Sequence, residues 1–327
     1  MLLNRSALAF WIPLLGALLL FAVGEFILSH ALDFSRGLVF SFDPQPGPCT
    51  DATKLPACMN FAKLGYTYAA LWLLLTVVSV AAIVVSIGSL RLLSRETQRG
   101  AFIVATVLGL IVAWLAVQAG HVYEAVGKDV FSWTVGALGQ LGWLRWSIAA
   151  SNVVVGFAAA FVGTACCAMV LDLPADKPTN ASAADEQAAR LENRMQSLRL
   201  IVLFGALLLV AGIATMAAYL AWPTAFMKND KGDSPYGALT NGIVTLHGVS
   251  YSLVLFILFC GPAGVLYGRL QRIAREVPCQ SETGVRAFLA KHQLTPSLPS
   301  FLANALTIAA PLLTSQLTQI LKLLPSG

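Results

Sequence analysis

An all-α fold that crosses a membrane six times is what this sequence predicts, and three observations carry that reading. The 327-residue chain is 57% hydrophobic and only 11% charged, too little charge to cover a soluble surface of this size. Its apolar runs approach or exceed the ~20 residues that span a hydrocarbon core. Lys and Arg gather at the ends of those runs, mainly on one side. A net charge of +5 arranged this way is a topology signal, and no nucleic-acid partner is expected.

Six runs read as spans: 8–29, 66–90, 101–120, 148–171, 200–222 and 243–267. Each is expected to be helical, because backbone N–H and C=O groups cannot stay unpaired in lipid. Arg5 precedes the first span, and Arg91, Arg95 and Arg99 fill the link between the second and third. Arg190, Arg194 and Arg199 precede the fifth, and Arg269, Arg272 and Arg275 follow the sixth. The cations on the other side, among them Arg36, Lys54, Lys128 and Lys228, are scattered. The positive-inside rule then places the N-terminus and loops 91–100 and 172–199 in the cytoplasm, with loops 31–64, 123–146 and 223–241 outside. A bacterial inner membrane is the expected location. Trp143, Trp146, Trp222, Tyr66 and Tyr68 would form the outer aromatic belt. Ser29 and Ala31 have the spacing of a signal-peptide cleavage site. However, the apolar stretch before them is long for a signal and contains Glu25, so the first span is expected to remain attached.

Residues 1–275 therefore read as a six-helix transmembrane domain and 276–327 as a cytoplasmic tail. Within the tail, 301–324 carries a polar stripe (Asn304, Thr307, Thr314, Thr318, Lys322) beside an apolar one, and is interrupted at Pro311. That amphipathicity favours a helix lying in the interface or packed on a partner, with a seventh span as the alternative. Residues 182–199 are a strong helix former running into the fifth span, with Glu186 and Arg190 paired one turn apart. This segment is a solvated extension or a docking surface. Through it and 301–324 the chain would meet a membrane-complex partner or another copy of itself.

Cys49 and Cys58 share a Pro-rich loop on the oxidising side, where a disulfide is expected and a redox-active or metal-binding pair is the alternative. Cys166 and Cys167 are adjacent and point about 100° apart on a helix, so they are expected to pack as small buried residues. Cys260 and Cys279 read the same way. The segment 129–146 is apolar and Gly-punctuated, with Phe131, Val135 and Leu138 at helical spacing. It is a short interfacial helix or a packed loop.

The chemistry rests on histidines. His121 follows Arg99 by 22 residues, His247 precedes Arg269 by 22, and His30 follows Arg5 by 25. At about 1.5 Å per residue, 22 residues cover roughly 33 Å, one hydrocarbon thickness. Three of the four histidines thus fall at the outer boundary, and the fourth, His292, lies in the tail. Gln118 and Glu124 share a helix face with His121, and Tyr251 is one turn deeper than His247. Glu25 is the one acidic residue well inside a span, a costly placement that is a functional hypothesis by default.

The leading expectation is a non-enzymatic membrane protein whose outer site binds, conducts or senses a cation or proton. Glu25, Gln118, His121, Glu124, His247 and Tyr251 would form that site. A redox subunit is the alternative, with haem or a divalent metal on His121 and His247 and His30 as a further imidazole. A structural or assembly subunit is the third reading. Interfacial histidines also satisfy their nitrogens with water and backbone, and equal depth does not by itself make them neighbours. The chain has no phosphate-cradling glycine loop, HExxH or CxxC.

Overall fold

The computed structural model describes residues 5–35, 55–114, 142–173, 181–221, 235–276, 288 and 298–323, with the backbone alone at several helix ends. Among the described residues there are helices and short links, and no strand. The helices are α1 (Arg5–Ser35), α2 (Leu55–Leu90), α3 (Arg95–Trp114), α4 (Gly142–Ala168), α5 (Ala181–Ala221), α6 (Pro235–Glu276) and α7 (Leu298–Leu323). Five of them, α2 to α6, contain stretches long and apolar enough to cross a bilayer; the apolar stretch described for α1, Ala7–Val23, is shorter.

Several helices run past their expected ends. α1 continues to Ser35 and α2 begins at Leu55, which shortens the expected loop 31–64 from both sides. α4 begins at Gly142 and α6 at Pro235, taking the ends of 123–146 and 223–241. Hydropathy marks the apolar core of a helix, whereas the hydrogen-bond ladder extends through polar turns that it does not register.

The outward faces are apolar. Leu73, Val77, Val80 and Val84 on α2, and Ile103, Val107, Leu110 and Trp114 on α3, are exposed at helical spacing. Such a band exceeds the apolar patches that soluble monomers present to water. Cys260 joins the corresponding stripe on α6 with Leu253 and Phe256, so it is exposed rather than buried as expected. Cys166 and Cys167 are wholly buried and reduced, as expected.

α4 is the central helix: 61% of its apolar stretch is buried, against 22% for α2 and for α3. Its small residues allow this. A Cβ on Gly156 would lie 3.1 Å from the Ala113 backbone nitrogen, so α3 and α4 meet nearly backbone to backbone. α1 packs on α4 and α6, with Pro13 against Gly261 and Gly16 against Ile257. α5 packs on α2, α4 and α6.

Two expected surface segments are packed within the chain. In α5, a single helix through 181–221, Ala184, Ala188, Leu191, Met195 and Leu198 form a buried stripe, so one face of the predicted solvated or docking extension is covered internally. Its opposite face stays in solvent and carries the expected Arg190–Glu186 pair at 2.6 Å. α7 packs along α5 and α6, with Pro311 and Ser315 buried, where a helix in the interface or on a partner was expected and a seventh span was the alternative. The polar stripe misleads because Thr307 and Thr314 donate to the carbonyls of Ala303 and Ala310 in their own helix. A hydroxyl satisfied in this way needs neither water nor a partner.

Candidate functional site

The polar residues of the bundle gather into two layers. One surrounds His247, near the start of α6. The other lies where α4 ends, against the start of α3 and Arg194 of α5.

In the first layer, the His247 side chain is buried and its Nδ1 lies 2.9 Å from the Ile243 carbonyl, one turn back. The Tyr251 ring meets the imidazole edge to face, with centroids 5.5 Å apart. Gly248 brings α7 close: a Cβ there would lie 2.5 Å from Ser315 Oγ and 3.1 Å from the Pro311 carbonyl oxygen. One turn deeper, the Leu312 N–H donates to Ser252 Oγ at 3.2 Å. α2, α4 and α5 contribute at a similar height. Tyr68 is buried against Tyr219, with centroids 5.8 Å apart. Thr215 Oγ1 donates to the carbonyls of Ala211 and Leu71, and Trp72 Nε1 to Ser151 Oγ. The expected aromatic belt is therefore divided: Tyr66 is exposed on the outward face and Tyr68 points inward.

Of the predicted site, His247 and Tyr251 are brought together. Glu25 and His30 lie on the helical backbone of α1, whose side chains are described only for 7–23. Gln118, His121 and Glu124 lie outside the described residues, as does Cys49, and Cys58 is placed by backbone only, so the expected disulfide falls outside them too. Among the described residues no group of three His, Cys, Asp or Glu could hold a metal ion. Sequence reasoning missed Ser252, Ser315, Thr215 and Tyr219. Tyr219 alone left a signal: it stands 20 residues after Arg199 and Tyr68 stands 23 before Arg91, which puts both near one depth.

The second layer ties three helices together. Arg194 is buried and donates to the carbonyls of Met169 at 3.2 Å, of Leu171, and of Asp172 at 3.3 Å, groups left unpaired where α4 ends. Asp172 itself adopts φ 52°, a left-handed turn that Asp and Asn tolerate better than most residues. Its carboxylate accepts from the Ser94 N–H at 3.0 Å and the Thr97 hydroxyl at 2.7 Å, capping the start of α3.

Burial acts to raise the Asp172 pKa, but the hydrogen bonds from Ser94 and Thr97, with the charge of Arg194, outweigh it and hold the carboxyl below its ordinary range. A carboxylate depressed in the folded state adds stability above its unfolded pKa and loses it as pH falls through the folded value. Asp172→Asn keeps the turn preference and removes the charge. It is expected to lower stability near pH 7 by about 0.5–1 kcal/mol, a modest figure for an exposed group. Thermal melts of the two proteins should converge as pH drops below about 4.

Long apolar helices with an outward apolar band define the class as a helical bundle of membrane type. No family model matches the sequence, and no curated protein or solved structure is detectably similar to it.

Proposed function

We propose that the chain is an integral membrane protein of seven membrane-embedded helices, with its N-terminus in the cytoplasm, and that it binds or relays a proton or cation at an outer site centred on His247. One observation carries the site: the buried His247 ring is fixed through Nδ1 on the Ile243 carbonyl. A carbonyl oxygen only accepts, so Nδ1 holds the hydrogen and Nε2 of the neutral ring keeps its lone pair. A basic nitrogen is thus held in place inside the bundle.

Register supports Glu25 as a second member. Pro13 lies against Gly261 and Gly16 against Ile257, so α1 and α6 run antiparallel. Nine residues beyond Gly16 is Glu25, and nine before Ile257 is Gly248, the neighbour of His247. Register also supports a seventh membrane helix. Leu312 meets Ser252 and Ser315 meets Gly248, so α7 runs antiparallel to α6 as well. Its 26 residues extend about 39 Å, enough to pass from the arginine level beyond His247. The C-terminus then emerges outside, which replaces the cytoplasmic tail.

The test is proton flux in proteoliposomes under a pH gradient. His247→Gln keeps a polar side chain of similar size without a titrating group. It is expected to slow gradient collapse about tenfold or more, the scale of losing a proton-transfer group. Equal rates for the two proteins would remove His247 from the function.

The same Nδ1 bond favours one second reading, because ligating imidazoles are held in this way. There Nε2 would bind haem or a divalent metal. A Soret band or bound metal lost with His247→Ala would support that reading, and colourless, metal-free protein would eliminate it.

A further inference from the structure

Far from His247, the inner ends of α2 and α3 line an open cavity of about 480 Å³. Ile87 and Leu90 of α2 form one wall. Arg95, Gln98, Arg99 and the apolar pair Phe102 and Ile103 of α3 form the other. The two arginines are one helical turn apart, and neither has a hydrogen-bond or ion-pair partner among the described residues. At the start of α3 the Ser94 N–H is held by the Asp172 carboxylate and the Thr97 N–H by the Ser94 hydroxyl. The charged donors that line the cavity are the two guanidinium groups. Two forked, permanently charged donors suit the oxygens of a phosphate.

The apolar side of the cavity narrows the choice of phosphate. Ile103 is 63% exposed and Phe102 46%, and they begin the outward stripe that continues through Val107, Leu110, Ile111 and Trp114. A soluble anion would leave that mouth uncovered. A phosphate attached to a hydrocarbon chain would fill both parts, with its head between the arginines and its tail along α3.

We infer that the cavity binds the phosphate of an anionic phospholipid of the inner leaflet, with an acyl chain lying on the exposed face of α3. The inference rests on α2 and α3 crossing the membrane with their arginines inside, and not on the role of His247.

Native mass spectrometry of the full-length protein tests it, using micelles carrying equal amounts of phosphatidylglycerol and phosphatidylcholine. The wild type is expected to retain phosphatidylglycerol preferentially, by about tenfold or more, the weight of two arginines at a membrane surface. Arg95→Gln with Arg99→Gln should bring the two lipids close to parity. Arg272→Gln with Arg275→Gln, the same charge change on α6, should keep the preference. If the first double variant does not fold, Arg95→Lys with Arg99→Lys preserves the charge and loses the fork, and an intermediate preference is expected. An unchanged preference in both cavity variants would overturn the inference. So would an equal loss in the α6 variant, or inorganic phosphate adducts as abundant as those of the lipid, which would mark a soluble-anion site.

Discussion

Replacing Arg194 with methionine will destabilise the protein by about 3 kcal/mol, the scale of removing a charged donor from buried acceptors. Methionine keeps the apolar stem that packs in the core, so the change isolates the guanidinium. Its loss leaves the carbonyls of Met169, Leu171 and Asp172 without a donor at the end of α4. It also removes a charge that holds Asp172 ionised, and Asp172 caps α3. One substitution thus loosens the joint among α3, α4 and α5. Lysine at 194 supplies the charge without the fork and is expected to recover about half of the loss. Thermal unfolding in detergent reads the series. A methionine variant within 1 kcal/mol of wild type would mean that water serves those carbonyls equally well.

Gly248→Leu is expected to be as severe, because overpacking at a close helix crossing costs about 1–3 kcal/mol and more where backbone blocks relief. Even the first added carbon would sit 2.5 Å from Ser315 Oγ, 2.7 Å from Ser315 Cβ and 3.1 Å from the Pro311 carbonyl oxygen. The hydroxyl can turn aside, whereas the carbonyl moves only with α7. The helix should therefore separate from α6 and become sensitive to protease within 298–323. Adding Ser315→Gly removes the two nearest atoms and should restore part of the protection. A Gly248→Leu protein as resistant as wild type would show that α7 does not make this contact in the membrane.

The two substitutions also show what was legible in the sequence. Apolar length revealed α2 to α6, and helix-forming residues before the fifth span predicted that α5 is continuous. Counting from arginines put His247 near the outer boundary, with Tyr251 one turn deeper. Arg194 was legible only as a topology charge, since its acceptors are carbonyls 22–25 residues earlier in the chain, displayed by the end of another helix. The place of α7 was hidden because a threonine bonded to its own helix has the same letter as one facing water. Ser315 and Gly248 are 67 residues apart and carry no periodicity that would pair them.

The central claim is that His247 presents a basic Nε2 that exchanges protons with the outer side. Nitrogen-15 NMR of histidine-labelled protein in sealed vesicles measures this directly, with the His247 signals assigned by their loss in His247→Gln. At high outer pH the account predicts a hydrogen on Nδ1 and none on Nε2. As the outer pH falls with the inner pH held constant, the Nε2 signal should shift to its protonated position. An Nε2 that carries the hydrogen at every pH, or one that follows only the inner pH, would contradict it.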